Sequence, residues 1–99
     1  GQLEEARATA TAVLKLVEEA RQKRGGAPSG DFWQDVTEAE ARLLLGEAER
    51  ALQLYHDARI AAQNEKGSIS STAKQVARLL GVLELSDINR NKLKAEFGI

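Results

Sequence analysis

Residues 32–62, with the sequence FWQDVTEAEARLLLGEAERALQLYHDARIAA, decide the fold of this chain. A lone glycine, Gly46, divides two segments in which apolar residues recur every three or four positions, as in amphipathic helices. Glycine commonly ends a helix, and so short a link folds the second helix back antiparallel to the first. The first segment carries two apolar stripes: Phe32, Val36, Ala39 and Leu43, and beside them Trp33, Ala41 and Leu44. The second segment carries one face of small residues around a tyrosine: Ala48, Ala51, Tyr55, Ala58 and Ala62. The stretch predicts an αα-hairpin whose first helix is packed on more than one side.

Helical patterns fill the rest of the chain, and strand patterns are nearly absent. Breaks are expected where glycine, proline and serine cluster, in GGAPSGD (25–31) and NEKGSISS (64–71). Serine and aspartate favour helix starts, so we expect Ser29 or Asp31 to cap the second helix, Ser70 or Ser71 the fourth and Ser86 the fifth. The prediction is one all-α domain, residues 1–99, with five helices at about 3–24, 32–45, 47–64, 72–83 and 87–97.

Composition argues against several classes of protein. A chain of 99 residues is long enough to bury a core as one domain, and this one contains no cysteine for a disulfide framework. A net charge of −1 with 29% charged residues argues against disorder and against coating of nucleic acid. With neither a long apolar run nor a signal peptide, we expect no membrane contact and a cytoplasmic setting. Because the sequence lacks methionine, we expect a fragment of a longer protein.

Charge is unevenly distributed along the chain. Residues 31–49 hold six acids against Arg42 alone, a net charge of −5, whereas residues 66–99 hold six bases against three acids, a net charge of +3. Two interpretations stay open: helix faces in solvent, or a surface that steers a charged partner.

The sequence offers no convincing catalytic, metal or cofactor site. His56 is the only histidine, and its neighbour Asp57 points about 100° away on a helix, so we expect a surface histidine that Asp57 does not orient. Carboxylate pairs such as Glu38 with Glu40 are interpreted as solvated. No phosphate-binding loop is present. We therefore expect a protein that is not an enzyme and that binds no cofactor.

The hairpin resembles a tetratricopeptide repeat. The residues that carry the resemblance are a small residue in the first helix, the Leu-Gly turn, and the small and aromatic positions of the second helix: Ala39, Leu45, Gly46, Ala51, Tyr55 and Ala58. The chain departs from the family at Glu38, where a large apolar residue is usual, at Arg42, where tyrosine is common, and in lacking a proline after Ala58. The resemblance implies antiparallel hairpins in a right-handed stack and a scaffold that binds proteins.

A narrower resemblance covers residues 31–58 and the segment STAKQVARLL (71–80). These segments are similar to the closing repeats of the TRAFs-binding helical-repeat domain of stress-activated kinase kinase kinases and bacterial proteins. The shared residues are Trp33, Thr37, Ala39, Glu40, Ala41, the Leu-Gly turn, Ser71, Thr72 and Gln75. The resemblance implies the terminal piece of a solenoid that scaffolds other proteins.

Candidate binding residues follow from the expected concave side of the second helix. We place a protein or peptide partner against Trp33, Val36, Glu40 and Leu43, and an acidic partner against Arg78 and Arg90. Trp33 has two interpretations, a plug between helices or an exposed binding hot spot. A clamp for a peptide's terminal carboxylate is disfavoured because Val36 and Glu40 replace its basic and amide residues.

The first helix has its own candidate surface. Its apolar stripe of alanine and valine could join two copies if a native neighbour is missing, and it consists of Leu3, Ala6, Ala10, Val13, Val17 and Ala20. Self-association through this helix is therefore a further expectation.

The alternative is a DNA-binding helix-turn-helix formed by residues 72–97. Ala77 followed by Gly81 fits that motif, and Arg90 and Lys92 lie in the expected recognition helix. The turn is one residue too long, however, and the acidic segment would repel a phosphate backbone. We therefore expect no nucleic-acid partner under the preferred interpretation.

Overall fold

The computed structural model describes residues 2–26, 32–64 and 66–99. The helices are α1 (Gln2–Lys23), α2 (Phe32–Leu44), α3 (Ala48–Ala61), α4 (Lys66–Val82) and α5 (Asp87–Phe97). No strand occurs in these three ranges, and the all-α prediction is confirmed. A search of the same ranges finds no helix whose length and apolarity would let it cross a membrane.

The α2–α3 hairpin forms where the glycine predicts it. Gly46 has φ of +86°, and the chain reverses through two hydrogen bonds, Gly46 N–H to the Leu43 carbonyl at 3.2 Å and Glu47 N–H to the Arg42 carbonyl at 2.8 Å. A side chain at this φ would be strained, which explains the glycine. Gly25, at φ of +64°, closes α1 in the same way. The predicted caps Ser29 and Asp31 lie outside the described residues.

One hydrophobic cluster joins α2, α3, α4 and α5. Alanines at the crossing of α2 and α3 are fully buried and let the two backbones approach closely, and Tyr55 contacts the ring of Phe97 edge-on with centroids 5.4 Å apart. The buried members are Val36, Ala39, Leu43, Ala48, Ala51, Leu54, Tyr55, Ala58, Val76, Leu79, Leu80, Leu83 and Leu93. The hairpin alanines and Tyr55 therefore serve packing within the helical core.

Helix α1 packs antiparallel on α2. Arg7 near its start donates to the Leu44 carbonyl at the end of α2 (3.2 Å), while Arg21 near its end reaches Glu38. The predicted stripe faces α2, with Ala10 and Val17 buried, and Leu16 is exposed on α1. The stripe thus has a neighbour within the chain, and self-association through α1 stays a prediction.

Helix α4 begins six residues before its predicted start. The predicted caps Ser70 and Ser71 lie inside the helix, so that expectation is wrong. Thr72 is 2% exposed, and its hydroxyl donates to the Ser68 carbonyl one turn earlier at 2.9 Å. Ser68 and Ile69 of the added turns are half-buried and lead into the buried Thr72, and these contacts outweigh the weak helix propensity of glycine and serine.

Helix α5 starts and ends on local signals. Ser86 accepts a hydrogen bond from the Asn89 N–H at 3.2 Å, which confirms the predicted cap, and Gly98 ends the helix in the left-handed conformation. Leu93 anchors the helix in the core at 1% exposure. Helix α5 contacts both α3 and α4. A right-handed stack of hairpins stays a prediction.

Candidate binding groove

A shallow channel runs between α1 and α2, which we name the α1–α2 groove. Small side chains of both helices line it, because alanines at the closest approach leave space above them. The lining residues are Ala6, Thr9, Ala10 and Val13 of α1 and Thr37, Glu40, Ala41 and Leu44 of α2, around a volume of about 310 Å³. These positions recur every three or four residues on each helix and so share one face. The groove could seat an apolar side chain or a short segment of another protein.

Glu40 is the sole titratable residue of the groove lining. Gln75 of α4 donates a hydrogen bond from Nε2 to Oε1 of Glu40 at 3.0 Å, and this contact orients the carboxylate. An amide leaves the negative charge in place, and within the described residues no cation forms an ion pair with Glu40. Burial raises the pKa of the Tyr55 hydroxyl well above its ordinary value, and the negative charge of Glu40 raises it further. The groove therefore contains a carboxylate that a hydrogen bond from Gln75 orients and that no described cation neutralises.

Trp33 lies on the same face of α2, one turn before Thr37 and two turns before Glu40. Trp33 is 52% exposed, and its ring contacts the Phe32 ring edge-on with centroids 5.1 Å apart. Its carbonyl accepts a hydrogen bond from the Thr37 hydroxyl at 2.7 Å. Trp33 is therefore exposed at the surface and does not form a buried plug between helices. Trp33 extends the face of the groove toward the start of α2.

Val36 and Leu43, the other two residues predicted on this surface, belong to the core. They are 7% and 2% exposed and lie in the cluster between the helices. A partner would find almost no surface on either side chain. They fix the packing of α2, whereas Trp33 and Glu40 stay accessible. Sequence reasoning assigned Ala6, Ala10 and Val13 of α1 to self-association rather than to a groove with α2, and it missed the role of Gln75, although Gln75 is among the residues of the narrower resemblance.

The two predicted basic residues have different environments. Arg78 is exposed on α4. Arg90 donates from Nη1 to the Leu80 carbonyl at 2.6 Å and from Nη2 to the Leu83 carbonyl at 3.0 Å. Its guanidinium thus caps the end of α4 and is used within the fold. The same contacts turn this arginine of the proposed DNA-recognition helix toward its own chain, which leaves the helix-turn-helix alternative with less support.

A network of ion pairs joins α1 to α2 beside the groove. Glu38 is 2% exposed, so its interpretation as a solvated carboxylate is wrong. Its two oxygens accept from Arg21 Nη2 at 2.6 Å and from Arg42 Nε at 2.8 Å. Arg42 also pairs with Glu47 at 2.8 Å. Burial alone would lower the pKa of Arg42, but its hydrogen bonds and charge interactions with Glu38 and Glu47 outweigh burial and raise it. Glu38 and Glu47, two of the six acids in residues 31–49, are therefore paired within the fold.

His56 is a half-exposed surface residue with an oriented partner on α5. Its Nδ1 lies 2.9 Å from Oε1 of Glu96, which also accepts from Arg59 Nε at 2.6 Å. Asp57 instead accepts from Gln53 at 2.9 Å, as expected for a residue that points away from the imidazole. Burial alone would raise the pKa of Glu96, but Arg59 and His56 hold it below its ordinary value. In the ranges that the structure describes, no group of three or more metal-ligating residues could hold a metal ion.

Comparisons of the chain with known protein families, with curated proteins and with solved structures find no match. Neither resemblance noted in the sequence gains support from them, and both stay predictions. A function for the chain therefore rests on its own side chains and their geometry.

Proposed function

We propose that the chain is a non-catalytic protein-interaction module and that it binds a peptide segment of its partner in the α1–α2 groove. The observation that carries the proposal is the pairing of a half-exposed tryptophan with a held, un-neutralised carboxylate on one face of α2. Tryptophan is the residue most enriched at the energetic centre of protein interfaces. We place this groove in a tetratricopeptide-like scaffold.

The chemistry of the groove selects the ligand. Its floor of alanine and valine offers apolar contact to a small or medium side chain, whereas Glu40 attracts a cation. A second basic residue of the partner could lie over the exposed ring of Trp33, two turns away from Glu40, since aromatic faces attract cations. The partner segment should therefore carry a basic residue beside apolar ones.

The non-catalytic part of the proposal is supported by the composition of the lining. General acid–base or nucleophilic chemistry needs at least two polar groups that converge on one reacting atom. Glu40 is the one titratable group among the described lining residues, and the Thr37 hydroxyl near it donates to the Trp33 carbonyl. The hydrogen-bond partner of Glu40, Gln75, is an amide and does not ionise near neutral pH. Such a lining binds a ligand without activating it.

Selection from a displayed library of random peptides on the immobilised chain tests the proposal. Enriched peptides should share a basic residue beside apolar ones, and their affinities are then measured by isothermal titration calorimetry. Trp33→Ala and Glu40→Gln are each expected to weaken binding about tenfold, which corresponds to about 1.4 kcal/mol of binding free energy. Glutamine at position 40 can still accept the hydrogen bond from Gln75, so the fold should be preserved.

Matched controls lie on α3, away from the groove. Glu49→Gln removes an exposed acid and Ile60→Ala an exposed apolar residue, and neither should change affinity. Enriched peptides that bind wild type, Trp33→Ala and Glu40→Gln equally would overturn the proposed site. Failure of the library to enrich any sequence on wild type over Trp33→Ala would overturn the proposed function.

A further inference from the structure

A second depression lies between α4 and the end of α5, and we name it the α4–α5 groove. Three apolar side chains form its walls, small residues form its floor, and the volume is about 480 Å³. The lining residues are Ile69, Ser70, Ala73, Lys74 and Ala77 of α4 with Phe97 and Ile99. It shares no residue with the α1–α2 groove.

Two cations stand on the exposed face of α4: Lys74 lines the groove, and Arg78 lies outside its lining. Lys74 and Arg78 are one helical turn apart, and both are exposed. Neither forms an ion pair with any residue that the structure describes, in contrast to Arg21, Arg42 and Arg59. The fold therefore leaves these two charges available, next to an apolar surface.

The exposed face of α4 is shaped to receive a helix. From residue 67 onward its exposed residues recur every three or four positions and are small apart from two cations and one valine: Gly67, Ser70, Ser71, Lys74, Ala77, Arg78, Gly81 and Val82. Small residues let a second helix approach closely, and an amphipathic helix places its apolar residues in a groove at spacings of three, four and seven.

We propose that the α4–α5 groove binds an acidic amphipathic helix of a partner protein. The partner's apolar stripe would lie against Ile69, Ala73 and Phe97, and carboxylates one turn apart along that helix would meet Lys74 and Arg78. Two cations around a concave apolar channel suit a helix better than nucleic acid, which is held by many phosphate contacts. A membrane surface would need an apolar face that projects from the protein.

This inference stands apart from the proposed function, because the two surfaces have different lining residues and opposite charge preferences. Together they would let one chain hold a basic segment and an acidic helix at the same time.

The experiment is a selection from a displayed library of helix-forming peptides of about 15 residues, long enough for a partly stable helix. The bait is the wild-type chain, and Lys74→Glu/Arg78→Glu serves as counter-selection. The expected consensus has apolar residues at helical spacing and acidic residues one turn apart. A synthetic peptide with the consensus is then titrated by fluorescence anisotropy against the variants.

Lys74→Glu/Arg78→Glu should weaken the peptide about tenfold or more, because attraction at two sites becomes repulsion. Lys92→Glu/Lys94→Glu is the matched control: it changes the net charge equally, on exposed residues of α5 that do not line the groove. It should leave affinity nearly unchanged. A peptide with its acids replaced by lysine should bind the Lys74→Glu/Arg78→Glu chain better than the wild type.

Equal loss of affinity in the two double variants would reduce the effect to net charge and overturn the site. A selected consensus without acids would overturn the proposed partner, as would tighter binding to duplex DNA or to phosphatidylserine vesicles than to the peptide. Trp33→Ala should bind the acidic peptide as wild type does, so failure of the proposed function and failure of this inference remain distinguishable.

Discussion

Glu38 offers the sharpest test of how this fold is held together, through its replacement by alanine. The change removes two charge-assisted hydrogen bonds, to Arg21 and Arg42, from a side chain that is 3% exposed. Breaking a buried ion pair costs about 3–5 kcal/mol. The arginine side chains are 28% and 15% exposed, so water recovers part of that cost, and Arg42 keeps its pair with Glu47. We expect a loss of about 3 kcal/mol in the free energy of unfolding, at the low end of that range.

Urea and thermal unfolding followed by circular dichroism measure this loss. In a domain of this size each kcal/mol lowers the melting temperature by about 4–8 °C, so Glu38→Ala should melt about 12–24 °C below wild type. Glu38→Gln keeps an acceptor oxygen but loses the charge, and it should fall between the two. Glu49→Ala removes an exposed acid on α3 and should stay within about 0.5 kcal/mol of wild type.

A double-mutant cycle with Arg21→Ala separates the ion pair from general effects of the substitution. Arg21 and Glu38 join α1 to α2, and their coupling energy should reach about 1 kcal/mol. A Glu38→Ala variant that unfolds within about 0.5 kcal/mol of wild type, with no coupling to Arg21, would refute the reasoning. The network would then be an accident of charge placement with no net stabilising effect.

Two further predictions concern α5. Arg90→Met leaves the carbonyls of Leu80 and Leu83 without their donors and should lower the free energy of unfolding, measured in urea, by about 1–2 kcal/mol. Lys92→Met changes an exposed residue of the same helix and should lower it by less than about 0.5 kcal/mol. Equal losses in the two variants would contradict the capping role of Arg90. The lowered pKa of Glu96 stabilises the fold above its unfolded pKa of about 4.3, and that stability disappears as pH falls through the folded value. The stability difference between wild type and Glu96→Gln should therefore shrink from about pH 7 toward about pH 3; a pH-independent difference would contradict it.

Helical periodicity alone could not show which of the predicted binding residues are accessible and which are buried. Trp33, Val36, Glu40 and Leu43 all lie on a helix that is apolar over much of its circumference. In the structure, Val36 and Leu43 face the core, whereas Trp33 and Glu40 stay accessible. Which side of α2 is covered depends on where α1 and α3 pack. The sequence predicted the helix and its candidates, and tertiary packing selected among them.

The sequence by itself determined the features that depend on neighbouring residues. The αα-hairpin, the turn at Gly46 and the Ser86 cap follow from residues a few positions apart, because helix periodicity, left-handed glycine and hydroxyl capping act within one or two turns. The start of α4 could not be predicted in this way, since glycine and serine at 67–71 favour caps and turns in the sequence, whereas in the structure half-buried Ser68 and Ile69 continue the helix that Thr72 anchors.

The electrostatic structure of the protein was decided only by the tertiary fold. In the sequence, residues 31–49 are an acidic run and residues 66–99 a basic one. In the structure, Arg21 crosses from α1 to bury Glu38, and Arg90 turns inward to cap α4, while Lys74 and Arg78 keep their charges available. A charge acts on whatever the fold brings within a few ångströms, and those neighbours lie up to tens of residues away along the chain.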